Sequence, residues 1–229
     1  MQKVSIIFTH WAQNPERSIM SRYSIESLLC SLKNPVEIIV VDNGGSFDDS
    51  IYFLKLCEEK RITHYIRNAD NLNFCYGYNQ ALKLAWGDYF VLASNDLHYQ
   101  REWLEACLKV FEHYPDDKLI VSPLDYPTNI LRQKYHQGTI NVAGKDFKLS
   151  MRAGSNCFVM KRSTYEEIGE FDLDPMAGSK YTDRLVRAGY LTAVPPTNMA
   201  IDLGLRRGFD FKTPFEFKKT LTDGTTIAL

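Results

Sequence analysis

The chain has 229 residues, 45% of them apolar and 24% charged, enough for one large domain with its own core. This composition excludes disordered, collagen-like and low-complexity proteins. The net charge of −1 argues against a general nucleic-acid binder. No run of eighteen apolar residues suggests a membrane span, and the first residues do not resemble a signal peptide, so a cytoplasmic protein is expected. The five cysteines, Cys30, Cys57, Cys75, Cys107 and Cys157, are odd in number and widely spaced, so buried thiols are expected rather than disulfides or zinc.

The chain opens with the apolar β-branched run Val4 to Thr9, which reads as a buried parallel strand. Asn14-Pro15 reads as the N-cap and first position of a helix, with Ile19, Tyr23, Leu28, Leu29 and Leu32 at helical spacing. Val36 to Val41 is a second strand, ending in Asp42-Asn43-Gly44-Gly45, and Asp48 or Asp49 is placed to cap the next helix. Ile62 to Ile66 reads as a strand, Phe74 to Trp86 as a helix and Tyr89 to Ala93 as a strand ending at Ser94-Asn95-Asp96. A helix carrying Trp103, Leu104, Cys107, Leu108 and Phe111 leads to a strand from Lys118 to Ser122. Residues 123–150 are punctuated by Pro and Gly and suggest a hairpin or an excursion over the sheet. After them come a strand from Asn156 to Met160, a short helix opened by a Ser163 to Glu166 capping box, another short helix from Thr182 to Ala188, and a strand from Tyr190 to Val194.

Such alternation predicts an α/β chain, a mostly parallel, Rossmann-like sheet with helices on both faces and an irregular last third. Ligands of such sheets bind beyond the carboxyl ends of the strands, the edge where Asp42 and Asp96 fall. No Gly-x-Gly-x-x-Gly follows the first strand and no P-loop occurs, so a bound nucleotide lacks a glycine cradle for its phosphates. A divalent metal held by carboxylate is then the expected means of neutralising a diphosphate.

Several blocks resemble one family in order and spacing. Val4 to Thr9, Ile38 to Ser46, Asn71-Leu72-Asn73-Phe74-Cys75-Tyr76-Gly77-Tyr78-Asn79 and Gly87 to Asp96 look like the donor half of the family 2 glycosyltransferases of GT-A fold. Gly154 to Met160, Ile168 to Asp172 and Arg187 to Tyr190 look like its acceptor half. The resemblance implies a single glycosyltransferase domain with a nucleotide-binding half at 1–97, an acceptor-side half at 98–200 and a tail at 201–229. It implies metal-dependent, inverting transfer of one sugar from a nucleoside-diphosphate donor, with UDP the expected carrier, to a hydroxyl of a glycan or lipid-linked acceptor. Contact with a membrane is expected to be peripheral at most.

Residue roles follow from the same resemblance. Asp42 accepts a hydrogen bond from the base, Thr9 lines its pocket, and Asn71, Asn79 and Asn95 shape the donor site. Asp96 ligates Mn²⁺ or Mg²⁺, with Asp202 in the place where many members carry a metal-binding His. Arg206 and Arg207 are the expected phosphate contacts. One departure is marked: the acidic stretch that usually supplies the general base falls on Ala177-Gly178-Ser179-Lys180. Asp183 is the first candidate to replace it, Asp174 the second, with Asp172 beside it. The alternative is a catalytically impaired nucleotide-sugar-binding protein.

Overall fold

The computed structural model describes residues 2–12, 14–124, 135–151, 157–173, 177–203, 218–220 and 226–228. A nine-stranded sheet is built from β1 (Val4–His10), β2 (Glu37–Asn43), β3 (His64–Asn68), β4 (Tyr89–Ser94), β6 (Leu119–Val121), β7 (His136–Val142), β8 (Lys145–Ser150), β9 (Cys157–Lys161) and β10 (Leu191–Val194). The strand order is β3-β2-β1-β4-β9-β6-β10-β8-β7. Strands β3, β2, β1 and β4 are parallel neighbours; β9 runs against β4 and β6, and β8 against β10 and β7. The mostly parallel α/β sheet is as expected, with β7 and β8 forming the hairpin of the irregular segment.

Helices cover both faces because the central strands are apolar on both. Ile6, Phe8, Ile38 and Val40 face one core with Ile25 and Leu28 of α1 (Pro15–Ser31), Phe53 and Leu56 of α2 (Phe47–Glu58) and Trp103 of α4 (Trp103–His113). Ile7, Ile39, Val41, Phe90 and Leu92 face the other, with α3 (Phe74–Leu82) and Tyr181 and Leu185 of α6 (Ala177–Arg187). α5 (Arg162–Ile168) follows β9.

Several elements depart from expectation. Ser46, not Asp48 or Asp49, caps α2, its hydroxyl accepting from the Asp49 amide. α5 starts at Arg162, so Ser163 lies inside it and makes no capping box. The last helix begins at Ala177 rather than Thr182, α3 stops at Leu82 rather than Trp86, and β3 is shifted to 64–68. Among the cysteines, Cys75, Cys107 and Cys157 are buried, but Cys30 is exposed and Cys57 half-buried.

α1 shows the clearest difference. Its expected inner residue Ile19 is 45% exposed, while Ser21, Ser24 and Ser31 are buried. Each of these serines has a polar partner inside: Ser21 Oγ lies 2.6 Å from His10 Nδ1, and Ser31 Oγ donates to the Leu28 carbonyl and accepts from Trp103 Nε1. Ser24 Oγ takes the Leu97 amide and donates to the Ser94 carbonyl, and Ser27 Oγ takes the Tyr99 amide. Leu97 and Tyr99 belong to β5 (Leu97–Tyr99), an unforeseen strand that pairs antiparallel with β11 (Ala200–Asp202).

Candidate active site

In the order β3-β2-β1-β4 the chain winds outward from β1 through β2 to β3, then crosses back to β4. The crevice beyond the carboxyl ends of β1 and β4 is therefore the topological switch point, the usual ligand position in such sheets. Register places Thr9 between Val41 and Ser94, and His10 beside Asp42. At Gly77 a Cβ would lie 3.2 Å from Thr9 Cγ2 and Val41 Cγ1, so the missing side chain lets α3 lie close against these strand ends. Asn73, at φ +78°, caps α3 by accepting the Cys75 amide; its backbone conformation is one glycine adopts freely.

Asp42 is fully buried and its carboxylate is saturated. Oδ1 accepts from the Gly45 amide at 2.7 Å. Oδ2 accepts from Ser50 Oγ at 3.0 Å, Tyr65 Oη at 2.8 Å and Arg67 Nη1 at 3.0 Å. Burial, together with the bond to Asp42, pushes the Tyr65 phenol up to about 12. Those four donors leave little of the carboxylate open to a group from outside. Arg67, with 39% of its side chain exposed, is the outermost of them. The sequence carries no sign of the Arg67–Asp42 bond, because that bond depends on the parallel pairing that sets Arg67 beside Asp42.

Behind Asp42 lies a second buried carboxylate, Asp49. It accepts from Ser46 at 2.9 Å and Arg22 at 2.8 Å, is bonded by Ser18, and lies 3.4 Å from His10 Nε2. Burial raises its pKa, but the contacts from His10, Ser18 and Arg22 outweigh burial and hold it well below the carboxylate range. A Cβ at Gly45 would meet His10 Nε2 at 2.6 Å, so only glycine fits between the two carboxylate clusters.

The other acidic position is built differently. Asp96 precedes β5 and Asp202 ends β11; the β5·β11 ladder pairs Asp202 with Leu97, and the Leu203 amide bonds the Asp96 carbonyl at 2.8 Å. Burial raises the Asp96 pKa and the nearby Asp202 raises it further, while the Ser94 hydroxyl, 2.5 Å away, and the charge of Arg17 oppose them. Two partly desolvated carboxylates set near each other repel, and a hard cation relieves that repulsion with oxygen ligands. The pair therefore fits a hard divalent cation such as Mn²⁺ or Mg²⁺. Among the described residues no three His, Cys, Asp or Glu side chains converge on one point.

The remaining expected residues are dispersed. Thr9 is buried, its Cγ2 lying against Gly77 of α3. Asn95 Nδ2 donates to the Trp11 carbonyl at 3.4 Å, tying the segment after β1 to the turn after β4. Asn71 accepts the Asn73 amide in an exposed turn. Asn79 is committed to the backbone of Phe171. Asp183 is exposed on α6, two residues from inward-facing Tyr181 and therefore on another face of the helix. Asp172 carries 42% side-chain exposure and lies 3.5 Å from Arg184. Asp174, Arg206 and Arg207 lie outside the described residues. A cavity of about 210 Å³ bounded by Val4, Leu32, Val36 and Leu108 includes none of the site residues and opens where β1 begins.

Comparison with known proteins agrees with this geometry. The fold resembles the mannosyltransferase PcManGT from Pyrobaculum calidifontis, solved in complex with GDP-Man and Mn²⁺, with a TM-score of 0.69 at 17% identity. It also resembles residues 1–349 of S. aureus TarS, with a TM-score of 0.63 at 16% identity. The matches cover 91% and 86% of this chain but 59% of each of those chains, so the chain spans about three fifths of their length. No curated protein matches the sequence. Among the described residues no helix is long and apolar enough to cross a membrane. A sequence profile described as glycosyl transferase family 2 matches residues 22–169, and with the switch-point crevice in place the chain belongs to that family.

Proposed function

We propose that this chain transfers a single sugar from a nucleoside-diphosphate sugar to a hydroxyl of a glycan or lipid-linked acceptor, with inversion at the anomeric carbon. The observation that carries the reading is the approach of Asp96 and Asp202 at the mouth of the switch-point crevice. Residues 1–97 form the donor half, 98–200 the acceptor half and 201–229 the tail. Strand β4 of the first half pairs with β9 of the second, so one continuous sheet backs both substrates.

Thr9 and the Asp42–Arg67 pair line the base pocket, Asp42 holding Arg67 and Tyr65 in place. Asp96 and Asp202 hold a divalent cation, which when bound neutralises the charge developing on the departing diphosphate. Arg206 and Arg207 take further phosphate oxygens. The acceptor hydroxyl gives its proton to a carboxylate of the acceptor half, with Asp183 ranked before Asp174 and Asp172. UDP is the first carrier to test; the GDP-Man bound to PcManGT makes GDP the second.

The competing reading is a protein that binds its nucleotide sugar without turnover. Its support is the absence of an acidic residue from Ala177-Gly178-Ser179-Lys180. Release of nucleoside diphosphate from UDP- and GDP-sugars, with and without acceptor glycans, separates the two. Turnover is expected, and Asp183→Asn should slow it about 100-fold, the scale of a general base, with donor affinity retained. Binding without any turnover supports the second reading, and wild-type rates in Asp183→Asn move the base to Asp172 or Asp174.

A further inference from the structure

Asn79 makes an unusual commitment. Its side chain is buried, and both ends of its amide are spent on one residue 92 positions away. Nδ2 donates to the Phe171 carbonyl and Oδ1 accepts from the Phe171 amide, both at 2.9 Å. Such a paired bond copies the exchange between opposed residues of an antiparallel ladder and fixes both position and orientation of the backbone it holds.

The same turn is gripped from its other side. Arg184 donates through Nη1 to the Ile168 carbonyl at 3.0 Å and through Nη2 to the Glu170 carbonyl, and stands 3.5 Å from the Asp172 carboxylate. The Phe171 ring stacks on Tyr181 with centroids 3.7 Å apart at 14°, and lies 5.5 Å from Tyr78. The link to the donor crevice is Gly77, the residue before Tyr78 on α3, which packs against the Thr9 side chain. Thr9, Gly77 and Asn79 thus form one continuous support from the end of β1 to the backbone beside Asp172.

We infer that Asn79, opposed by Arg184, is a positioning residue that sets the 168–172 turn, and with it the acceptor-side carboxylates, at a fixed place relative to the bound donor. The inference rests on the glycosyltransferase reading. It differs from the expectation that Asn79 shapes the donor pocket, because both ends of the amide hold acceptor-side backbone. Displacing a reacting group by about 1 Å costs about a hundredfold in rate while leaving binding elsewhere intact.

The test compares wild type with Asn79→Ala and Arg184→Gln. Affinity for the nucleoside diphosphate with Mn²⁺ is measured by calorimetry, kcat and acceptor KM by nucleotide release, and protection of the Phe171 amide by hydrogen exchange. Both variants should keep nucleotide affinity within about twofold, lose about 10- to 100-fold in kcat and exchange Phe171 faster. Combined, they should cost less than the product of the two, because both act on one turn. Should Asn79→Ala fail to fold, Arg184→Gln carries the same expectation alone. Unchanged kcat, or kcat and nucleotide affinity falling together, overturns the inference. A wild-type protein that binds no nucleoside diphosphate overturns the reading beneath it instead.

Discussion

The two acidic positions at the carboxyl edge of the sheet solve the problem of a buried charge in opposite ways. Asp42 is closed within the chain, with four donors on its two oxygens and Asp49 equally well supplied behind it. Asp96 has the Ser94 hydroxyl and, close by, a second carboxylate that disfavours its ionised form. The first arrangement is self-sufficient and stabilises the fold; the second is the one proposed to take a cation from outside. Aspartates at equivalent strand ends thus take on different work, decided by the donors their neighbours supply.

The comparison is broken most directly at Asp42. Asp42→Ala orphans the Gly45 amide and the Tyr65 hydroxyl in a buried place, and should lower unfolding free energy by about 3 kcal/mol in urea denaturation. A loss under ~1 kcal/mol would mean that water replaces the carboxylate and that the cluster is not closed. Nucleotide affinity should fall as well, through loss of Arg67 placement, but its dependence on Mn²⁺ should persist.

Asp49 sharpens the same contrast through pH. Its pKa is depressed in the folded state, so its contribution is fully present above the unfolded value of about 4 and is lost as pH falls through the folded value. Asp49→Asn should therefore cost about 2 kcal/mol at pH 7, with the gap from wild type narrowing in acid below about pH 4. A gap that is constant from pH 7 to pH 3 would show that the Asp49 charge is not what the cluster uses.

Much of this architecture was legible from the residues. The apolar runs Val4 to Thr9 and Val36 to Val41 announce buried parallel strands, and their ends locate Thr9 and Asp42 at one edge. The Ser24 and Ser27 side chains were not legible, because a serine reads as solvent-facing until the strand that needs its hydroxyl is known. That strand, β5, is three residues long and takes its identity from pairing with β11, about a hundred positions away. The Asn79 clamp was hidden for the same reason: its partner Phe171 is distant in sequence, and an asparagine in a helix carries no sign of what it holds. The shift of α6 to Ala177 also escaped reading, since Gly178 and Ser179 are weak helix formers that tertiary packing overrides.

Asp96 and Asp202 are the residues proposed to hold the divalent cation at the donor diphosphate. Calorimetric titration of UDP and GDP into wild type and Asp96→Ala, each with and without Mn²⁺, tests that assignment most directly. Wild type should bind one of the two at least about tenfold more tightly with Mn²⁺, a difference of about 1.4 kcal/mol, and Asp96→Ala should lose that gain. Equal affinity with and without Mn²⁺ in wild type, or a gain that survives Asp96→Ala, would contradict the account.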